Sequence, residues 1–391
     1  MTQLSRTVLF SILFLSACQS SEPPPSQALL AYATIDPSID TNWTAIPRMA
    51  TRGCAIVAID AGDQLLKVVH PNRHVTSIGR KGDGKGEYRF PRSFAVGPNG
   101  TITVYDAARR RVIRFSASGE VLLDQPLGGG IWGHKPMGKL LATPKGLIDY
   151  WFADKVSDWY VSDSVLEHSP LVEEIGFDGV PTGRGWGRPT VPEDSSAYSL
   201  RWLLQQGDAD IWNDSLFVLR HSTGTIEVYS ISEPSSLPVR QFRLKQFRKA
   251  REPKELGGKA FRNYYGELRV ANPSELRYEA LTSAIALSHD GRIYVVSLLD
   301  SHIDATMPWP REALTIYDRV GNLESAYALM GRSTVAAGLM DDGTLALLGN
   351  PTEDPDGTYV IQLFRVPGAT GDLADCGWAG VANRKGALLN Q

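Results

Sequence analysis

The chain has 391 residues, of which 42% are hydrophobic and 21% are charged, so it can bury the core of one large or two ordinary globular domains. Its 40 basic and 43 acidic residues give a formal net charge of −3, which excludes a global electrostatic field that would attract nucleic acid. Recognition through charge must therefore come from local clusters.

The first segment of the chain has the pattern of an export signal. Arg6 is followed by an apolar run from Val8 to Leu15, which is too short to span a bilayer and has the length of a signal-peptide core. The sequence LSAC at residues 15–18 resembles the lipobox of bacterial lipoproteins, and this resemblance implies lipidation of Cys18. The alternative is an ordinary signal peptide with a chance cysteine.

The segment after this cysteine, QSSEPPPSQ, is a polar spacer that proline stiffens. We therefore predict a lipoprotein signal peptide at residues 1–17, a lipidated tether at 18–28 and one folded domain at 29–391. Gln19 is not the aspartate that would imply retention of a lipoprotein at the inner membrane. The expected location is thus the bacterial cell envelope, anchored to the outer membrane.

The folded domain contains six repeats, each of which starts with a polar turn. The turn residues are Gly53, Gly100, Gly146, Asp214, Gly291 and Gly343. The side chains two and four residues after each turn residue are apolar, and this period of two is that of a β-strand. A second apolar strand follows in every repeat, the first being LLKVV at residues 65–69, and several repeats add a third.

Repeats of this kind cannot bury both faces of their small sheets alone. The first spacings are 47 and 46 residues, and no helical crossover interrupts the short strands. Radial stacking of such sheets buries both faces. We therefore predict an all-β fold, a six-bladed β-propeller of four-stranded antiparallel blades, with loop or helical insertions between blades 3 and 4 and between blades 4 and 5.

The second repeat carries a family resemblance. Residues 79–122, GRKGDGKGEYRFPRSFAVGPNGTITVYDAARRRVIRFSASGEVL, closely resemble an NHL repeat in their Gly-rich approach, FPR motif and PNG turn. The rest of the chain resembles the NHL-repeat and TolB-like propellers more loosely. This resemblance implies a fold rather than an activity, because such propellers serve as scaffolds, binding discs and hydrolases. The glycines of GDGKGE bind no phosphate in this interpretation, since a strand and not a helix follows them.

Two spacings between turn residues exceed the repeat length, which indicates insertions. The first, at residues 176–198, is rich in Gly and Pro and contains Trp186. A long ordered loop on a propeller face can line a binding site, so Trp186 is a candidate binding residue. The alternative is a variable surface excursion.

The second insertion, at residues 240–269, is strongly basic. It contains ten basic and three acidic residues, a local charge of +7, with five aromatic residues interspersed. It fits an amphipathic lid that presents Arg248, Lys249 and Arg251 to an anionic ligand, or a surface that rests on anionic lipid. The alternative is the solvated face of a helical insertion.

Catalytic motifs are not found in the sequence. The seven histidines form no zinc-binding pattern, and no GxSxG elbow occurs. Six-bladed lactonases bind a divalent metal through carboxylates and amides near the start of their inner strands. Counted five to eight residues before each turn residue, and thus from residues 45–48 in the first repeat, those starts contain Asp208, Arg92 and Lys139 as charged residues besides Arg48. One carboxylate does not hold calcium, so we predict no metal and no cofactor, with Arg92 and Lys139 as candidate binding residues.

Two cysteines remain after the predicted processing, Cys54 and Cys376. An exported chain enters an oxidising compartment, where a lone pair of cysteines is commonly joined. Cys54 follows the first turn residue and Cys376 follows the last strand, and the first and last blades of a closed ring are neighbours. We therefore expect a disulfide at the seam of the ring. The alternative is two buried free thiols.

These observations predict a membrane-anchored envelope lipoprotein whose β-propeller is a binding module and not an enzyme. Its expected partners are the membrane, through the lipid anchor, and an envelope protein or an anionic or saccharide ligand. No nucleic acid is expected among them. The alternative function is a lactonase- or hydrolase-type enzyme that acts in the central channel.

Overall fold

The structure is a computed structural model that describes residues 27–31, 33–35, 48–60, 62–71, 74–97, 99–126, 139–150, 169–189, 207–221, 223–245, 260–262, 268–270, 277–278, 282–298, 301–302, 312–329, 332–351, 360–368 and 376. All regular secondary structure in these residues is β-strand. Within the same residues, no helix is long and apolar enough to cross a membrane.

The described chain enters the ring through two short strands, β1 (Ala28–Leu29) and β2 (Ala33–Ile35). Blade 1 is an antiparallel sheet of β3 (Met49–Arg52), β4 (Ala55–Asp60), β5 (Leu65–Val69) and β6 (Val75–Ile78). A short parallel pair, β7 (Arg80–Lys81) and β8 (Glu87–Tyr88), forms the Gly-rich approach to blade 2.

The next three blades repeat the four-stranded meander. Blade 2 consists of β9 (Pro91–Val96), β10 (Ile102–Asp106), β11 (Arg111–Phe115) and β12 (Val121–Pro126). Blade 3 consists of β13 (Lys139–Ala142), β14 (Gly146–Tyr150), β15 (Val172–Gly176) and β16 (Pro181–Trp186). Blade 4 consists of β17 (Gly207–Trp212), β18 (Ser215–Arg220), β19 (Thr225–Ser230) and β20 (Arg240–Arg243).

The insertion after blade 4 contains strands in the parts that the structure describes. These are the hairpin of β21 (Ala260–Arg262) and β22 (Leu268–Val270), followed by β23 (Arg277–Tyr278). Blade 5 starts with β24 (Thr282–Leu287) and β25 (Ile293–Leu298), after which β26 (Ser301–His302) pairs with β23 outside the blade. The strands β27 (Glu312–Tyr317) and β28 (Leu323–Leu329) complete it. Blade 6 contains β29 (Arg332–Leu339), β30 (Thr344–Pro351) and β31 (Val360–Arg365).

The prediction of a six-bladed propeller is confirmed. Each of the six turn residues lies between the first and second strands of successive blades, or begins the second strand in the case of Gly146. The first strands β3, β9, β13, β17, β24 and β29 contact one another in sequence around the ring, and β29 contacts β3. These six strands therefore surround the axis of the propeller.

The hydrophobic core is divided among the six blade interfaces. Each interface contains one cluster of buried apolar side chains: Ile56 and Met340, for example, belong to the cluster between blades 6 and 1, and Leu219 and Ile285 to that between blades 4 and 5. The other four clusters lie between the remaining neighbours. Radial stacking thus buries the apolar faces that a single blade would expose to water.

The seam of the ring is closed by the N-terminal strands and a disulfide. The strand β2 pairs with β31 as the fourth strand of blade 6, and β1 pairs with β28 at the outer edge of blade 5. The predicted tether ends at Ala28, which is the first residue of β1. Cys54 in the first turn of blade 1 forms a disulfide with Cys376, and their Cα atoms are 5.3 Å apart.

The structure corrects the interpretation of residues 176–198 as a long loop. Residues 181–186 form β16, the outer strand of blade 3, which pairs with β15. The glycines that suggested a loop are required within this strand. Gly183 has a φ of 77°, and a Cβ atom on Gly185 would lie 2.4 Å from Pro170. Residues 190–198 lie outside the described part of the chain.

The structure also corrects the register of the inner strands. The first inner strand was expected at residues 45–48, but β3 begins at Met49. The connection between first and second strands has two residues in blades 1 and 4 and three to five in the other blades. A fixed count back from the turn residue therefore starts too early in the two blades with short turns. In blade 4 this error left Asp210 out of the predicted strand start.

Candidate functional site

A cavity of about 1180 Å³ extends along the axis of the ring. Its wall contains residues from the first strand, or the turn after it, of all six blades. One end of the wall contains the starts of inner strands, including Lys139 and Asp208, and the other end contains turn residues such as Asp214 and Asp290. The cavity is therefore the central channel of the propeller.

Three charged side chains meet where blades 3, 4 and 5 adjoin this channel. Lys139 is the first residue of β13, and its Nζ atom lies 3.0 Å from Oδ1 of Asp208 on β17. Asp208 and Asp210 are two residues apart on a strand, so both side chains project to the same side. The Lys139 side chain is 31% exposed and that of Asp208 is 13% exposed.

Both aspartates are fixed by backbone N–H groups of the next blade. Oδ2 of Asp208 accepts a hydrogen bond from the backbone nitrogen of Ile285 at 2.9 Å, and Oδ2 of Asp210 accepts one from Leu287, also at 2.9 Å. The other oxygens accept from Ala209 and Ile211 on β17 itself, each at 2.9 Å. The edge of the inner strand β24 has N–H groups without ladder partners on this side, and the two carboxylates supply acceptors for them.

The electrostatics of this group favour a charged lysine. Burial alone would lower the pKa of Lys139, but attraction to Asp208 and Asp210 outweighs it and raises this pKa. Burial raises the pKa of Asp210, while the Lys139 charge and the hydrogen bonds from Ile211 and Leu287 oppose the rise. The ammonium group has three N–H donors, of which the hydrogen bonds to described residues use the one to Asp208, so donors remain for a ligand.

The opposite end of the channel carries an aromatic and charged group that sequence reasoning missed. Trp212 ends β17, and its Nε1 atom donates a hydrogen bond to the carbonyl oxygen of His289 at 2.9 Å. Asp290 and Arg292 follow in the same turn, and Arg292 forms an ion pair of 3.0 Å with Glu324. The sequence signal was available, because these residues flank the turn residues Asp214 and Gly291.

The structure separates the residues that the sequence proposed for binding. Lys139 lines the channel, but the wall of blade 2 is formed by residues 94–97 and 100 and does not include Arg92. Ser93 pairs with Tyr105 and Pro91 with Asp106, so Arg92 is the extra residue of a β-bulge.

Trp186 is a core residue, which corrects its assignment to a ligand-lining loop. Its side chain is fully buried between blades 3 and 4, and Nε1 donates to the carbonyl oxygen of Ser230 at 2.8 Å. The remaining predicted residues Cys18, Arg248, Lys249 and Arg251 lie outside the described residues.

The channel was also searched for a donor set that suits a metal ion. In the described ranges, no three side chains of His, Cys, Asp or Glu come close enough together to hold one. The two aspartates nearest each other, Asp208 and Asp210, direct their oxygens to backbone N–H groups and to Lys139.

Comparison with solved structures supports the fold. A member of the DUF4221 family from Bacteroides vulgatus superposes with a TM-score of 0.50 at 9% identity, covering 88% of this chain and 95% of that one. A protein of Bacteroides fragilis gives a TM-score of 0.48 at 13% identity, covering 87% and 94%. Streptogramin B lyase gives 0.41 at 9% identity, covering 85% and 97%. No protein-family model matches the chain, and no curated protein matches it by sequence.

Proposed function

We propose that this protein is an envelope lipoprotein whose propeller binds a saccharide-like ligand in its central channel without transforming it. The observation that carries the proposal is the convergence of Lys139, Asp208 and Asp210 on the wall of a cavity of about 1180 Å³. Small-molecule sites are typically concave, about 300–1,000 Å³ in volume, and contain a few convergent polar groups.

The balance of charges in the wall favours a polyhydroxylated ligand over a strongly anionic one. Lys139 stands beside the carboxylates of Asp208 and Asp210, and at the far end Arg292 stands beside Asp290. Hydroxyl groups both donate and accept hydrogen bonds, so they suit a wall in which donors and acceptors alternate. Trp212 adds an aromatic surface at the far end.

The proposed location rests on the N-terminal sequence and agrees with the disulfide. The apolar run, the lipobox-like LSAC and the polar spacer at residues 1–28 are the pattern of a lipidated export substrate. Disulfides persist in oxidising compartments and are rare in the cytosol, so the bond between Cys54 and Cys376 favours export. Cys18 is the proposed site of lipid attachment.

The binding proposal is tested by calorimetric titration of the lipidated protein in detergent with a panel of neutral oligosaccharides. Lys139→Met removes the ammonium donor, and a hydrogen bond from a charged group is worth about 1.5–3 kcal/mol, so we expect affinity to fall by about tenfold to a hundredfold. Lys145→Met is the matched control, because Lys145 belongs to the same blade, is exposed and does not line the channel.

Circular dichroism of both variants checks that the fold is retained. Lys145→Met should bind with unchanged affinity. The proposal would be overturned if no oligosaccharide of the panel bound, or if Lys139→Met bound as tightly as the wild type.

A further inference from the structure

Exposed apolar side chains are concentrated on one face of the propeller. Of seven large hydrophobic side chains that are exposed among the described residues, five lie in or beside connections between third and fourth strands. They are Leu122, Val180, Leu237, Val239 and Val320. In an antiparallel four-stranded blade this connection lies at the same end as the turn between the first and second strands. The five side chains therefore share the face that carries the six turn residues.

Two of these connections, those of blades 4 and 5, are in contact. Nη2 of Arg240 in β20 donates a hydrogen bond to the carbonyl oxygen of Arg319, next to Val320. The ring of Phe242 packs against Gly321, where a Cβ atom would lie 2.5 Å from it. We call this surface the blade 4–5 rim; it consists of Leu237, Val239, Arg240, Arg243, Lys245, Arg319 and Val320. Leu237 and Val239 are both 70% exposed and Val320 is 51% exposed.

The blade 4–5 rim is more basic than the equivalent edge on the far side of the ring. Its two connections, residues 231–245 and 318–324, contain four basic and three acidic residues. Two of these acids are already engaged: Asp318 accepts hydrogen bonds from backbone groups of its own turn, and Glu324 pairs with Arg292. In blade 2, residues 116–126 contain two acids and no basic residue.

The N-terminal tether leaves the ring beside this rim. Strand β1 pairs in parallel with β28, which begins at the turn containing Val320, so the chain enters β1 from the face of that turn. Nine residues separate Gln27 from Cys18, and fully extended they span about 30 Å. A compact globule of this length is about 50 Å across, and blade 2 lies opposite blade 5 in a ring of six. The tether therefore keeps the blade 5 side nearest to the anchor.

We infer that the blade 4–5 rim rests on the anionic lipid surface to which the chain is anchored. The inference depends on the lipid anchor at Cys18 that is part of the proposed function. Exposed apolar side chains flanked by arginine and lysine are the composition that binds the interface of a bilayer with anionic headgroups. Contact through this rim would tilt the disc so that the blade 2 edge points away from the membrane.

The test places an environment-sensitive NBD fluorophore at two equally exposed positions. Val320→Cys and Leu122→Cys are labelled in the lipidated protein, whose other cysteines are acylated or in the disulfide. Each protein is added to vesicles of phosphatidylethanolamine and phosphatidylglycerol that contain nitroxide-labelled lipid. We expect quenching of about twofold at position 320 and none at position 122, because only the blade 4–5 rim enters the interface. Raising the salt concentration should reduce the quenching at 320.

The outcomes separate the two proposals. Flotation of the lipidated protein with the vesicles, and its loss in Cys18→Ala, test the anchor alone. If the protein floats but emission at position 320 is no more quenched than at 122, the rim inference is wrong while the anchor stands, and the rim is left accessible to a protein partner. Equal quenching at both positions would also overturn the inference, because the whole face would then lie on the lipid.

Discussion

Buried carboxylates in this protein serve mainly as acceptors for backbone N–H groups of neighbouring segments. Asp106 is fully buried and accepts hydrogen bonds from the backbone nitrogens of Arg89, Phe90 and Ala108. Glu312 at the start of β27 differs, because its oxygens accept only from the backbone nitrogen and the hydroxyl of Thr334, each at 2.6 Å, among the described residues. Burial raises the pKa of Glu312 to about 7.

This raised pKa predicts a pH-dependent stability. The folded state retains the Glu312 proton from the ordinary value of 4.5 up to about 7, whereas the unfolded chain loses it, so the free energy of unfolding falls as pH rises through this window. The total change is on the order of 3 kcal/mol at 1.36 kcal/mol for each pH unit. Glu312→Gln mimics the protonated acid and should flatten the profile. Urea unfolding of wild type and variant between pH 5 and about pH 8 measures the difference.

The exposed Glu120 in the turn of blade 2 provides the control. Glu120→Gln should leave the wild-type profile unchanged. A Glu312→Gln profile as steep as that of the wild type would show that another group causes the dependence.

The turns between first and second strands are the elements that join neighbouring blades. Trp212 from blade 4 covers Gly291 of blade 5, and the guanidinium of Arg52 from blade 1 covers Gly100 of blade 2. A Cβ atom on Gly291 would lie 2.9 Å from the indole ring, and its φ is 85°. Glycine is therefore required at this turn for two reasons, its backbone conformation and its contact with the next blade.

Substitution can separate these two requirements. Gly291→Ala should destabilise the fold through both the positive φ and the clash with Trp212. Gly119→Ala carries nearly the same φ of 87°, but no atom lies within 4 Å of the added methyl group. We expect Gly119→Ala to cost about 1–2 kcal/mol and Gly291→Ala at least about 1 kcal/mol more in the free energy of unfolding. Equal losses in denaturant unfolding would show that the indole ring moves aside without cost.

The same elements show what the sequence can and cannot predict. Turn residues and alternating strands are local patterns, so the six blades and the channel position of Lys139 follow from them. Strand β16 was missed because its glycines are selected by a bulged backbone and by contact with Pro170, which are not visible in the sequence. Asp210 was missed because turn length varies between blades. Pairing of β1 and β2 with the last two blades depends on long-range contacts.

On the scale of the whole molecule, the ring is closed by contacts from both ends of the chain. The strand β2 completes blade 6, β1 extends blade 5, and the disulfide joins blade 1 to the residue after the last blade. Closing so long a loop stabilises the folded ring chiefly by restricting the unfolded chain. The closed ring holds six inner strands at fixed positions around the channel. Such a scaffold suits a preorganised site, because binding then costs little conformational entropy.

The central claim is that the channel binds a saccharide and releases it unchanged, and one measurement tests both parts. The lipidated protein is incubated with the tightest-binding oligosaccharide of the panel, and the bound and free sugars are recovered and analysed by mass spectrometry and NMR. We predict a stoichiometric complex that Lys139→Met weakens, with the recovered sugar identical in mass and anomeric configuration. A cleaved, eliminated or oxidised product would contradict the account and favour a channel enzyme, and the absence of any complex would contradict the binding site itself.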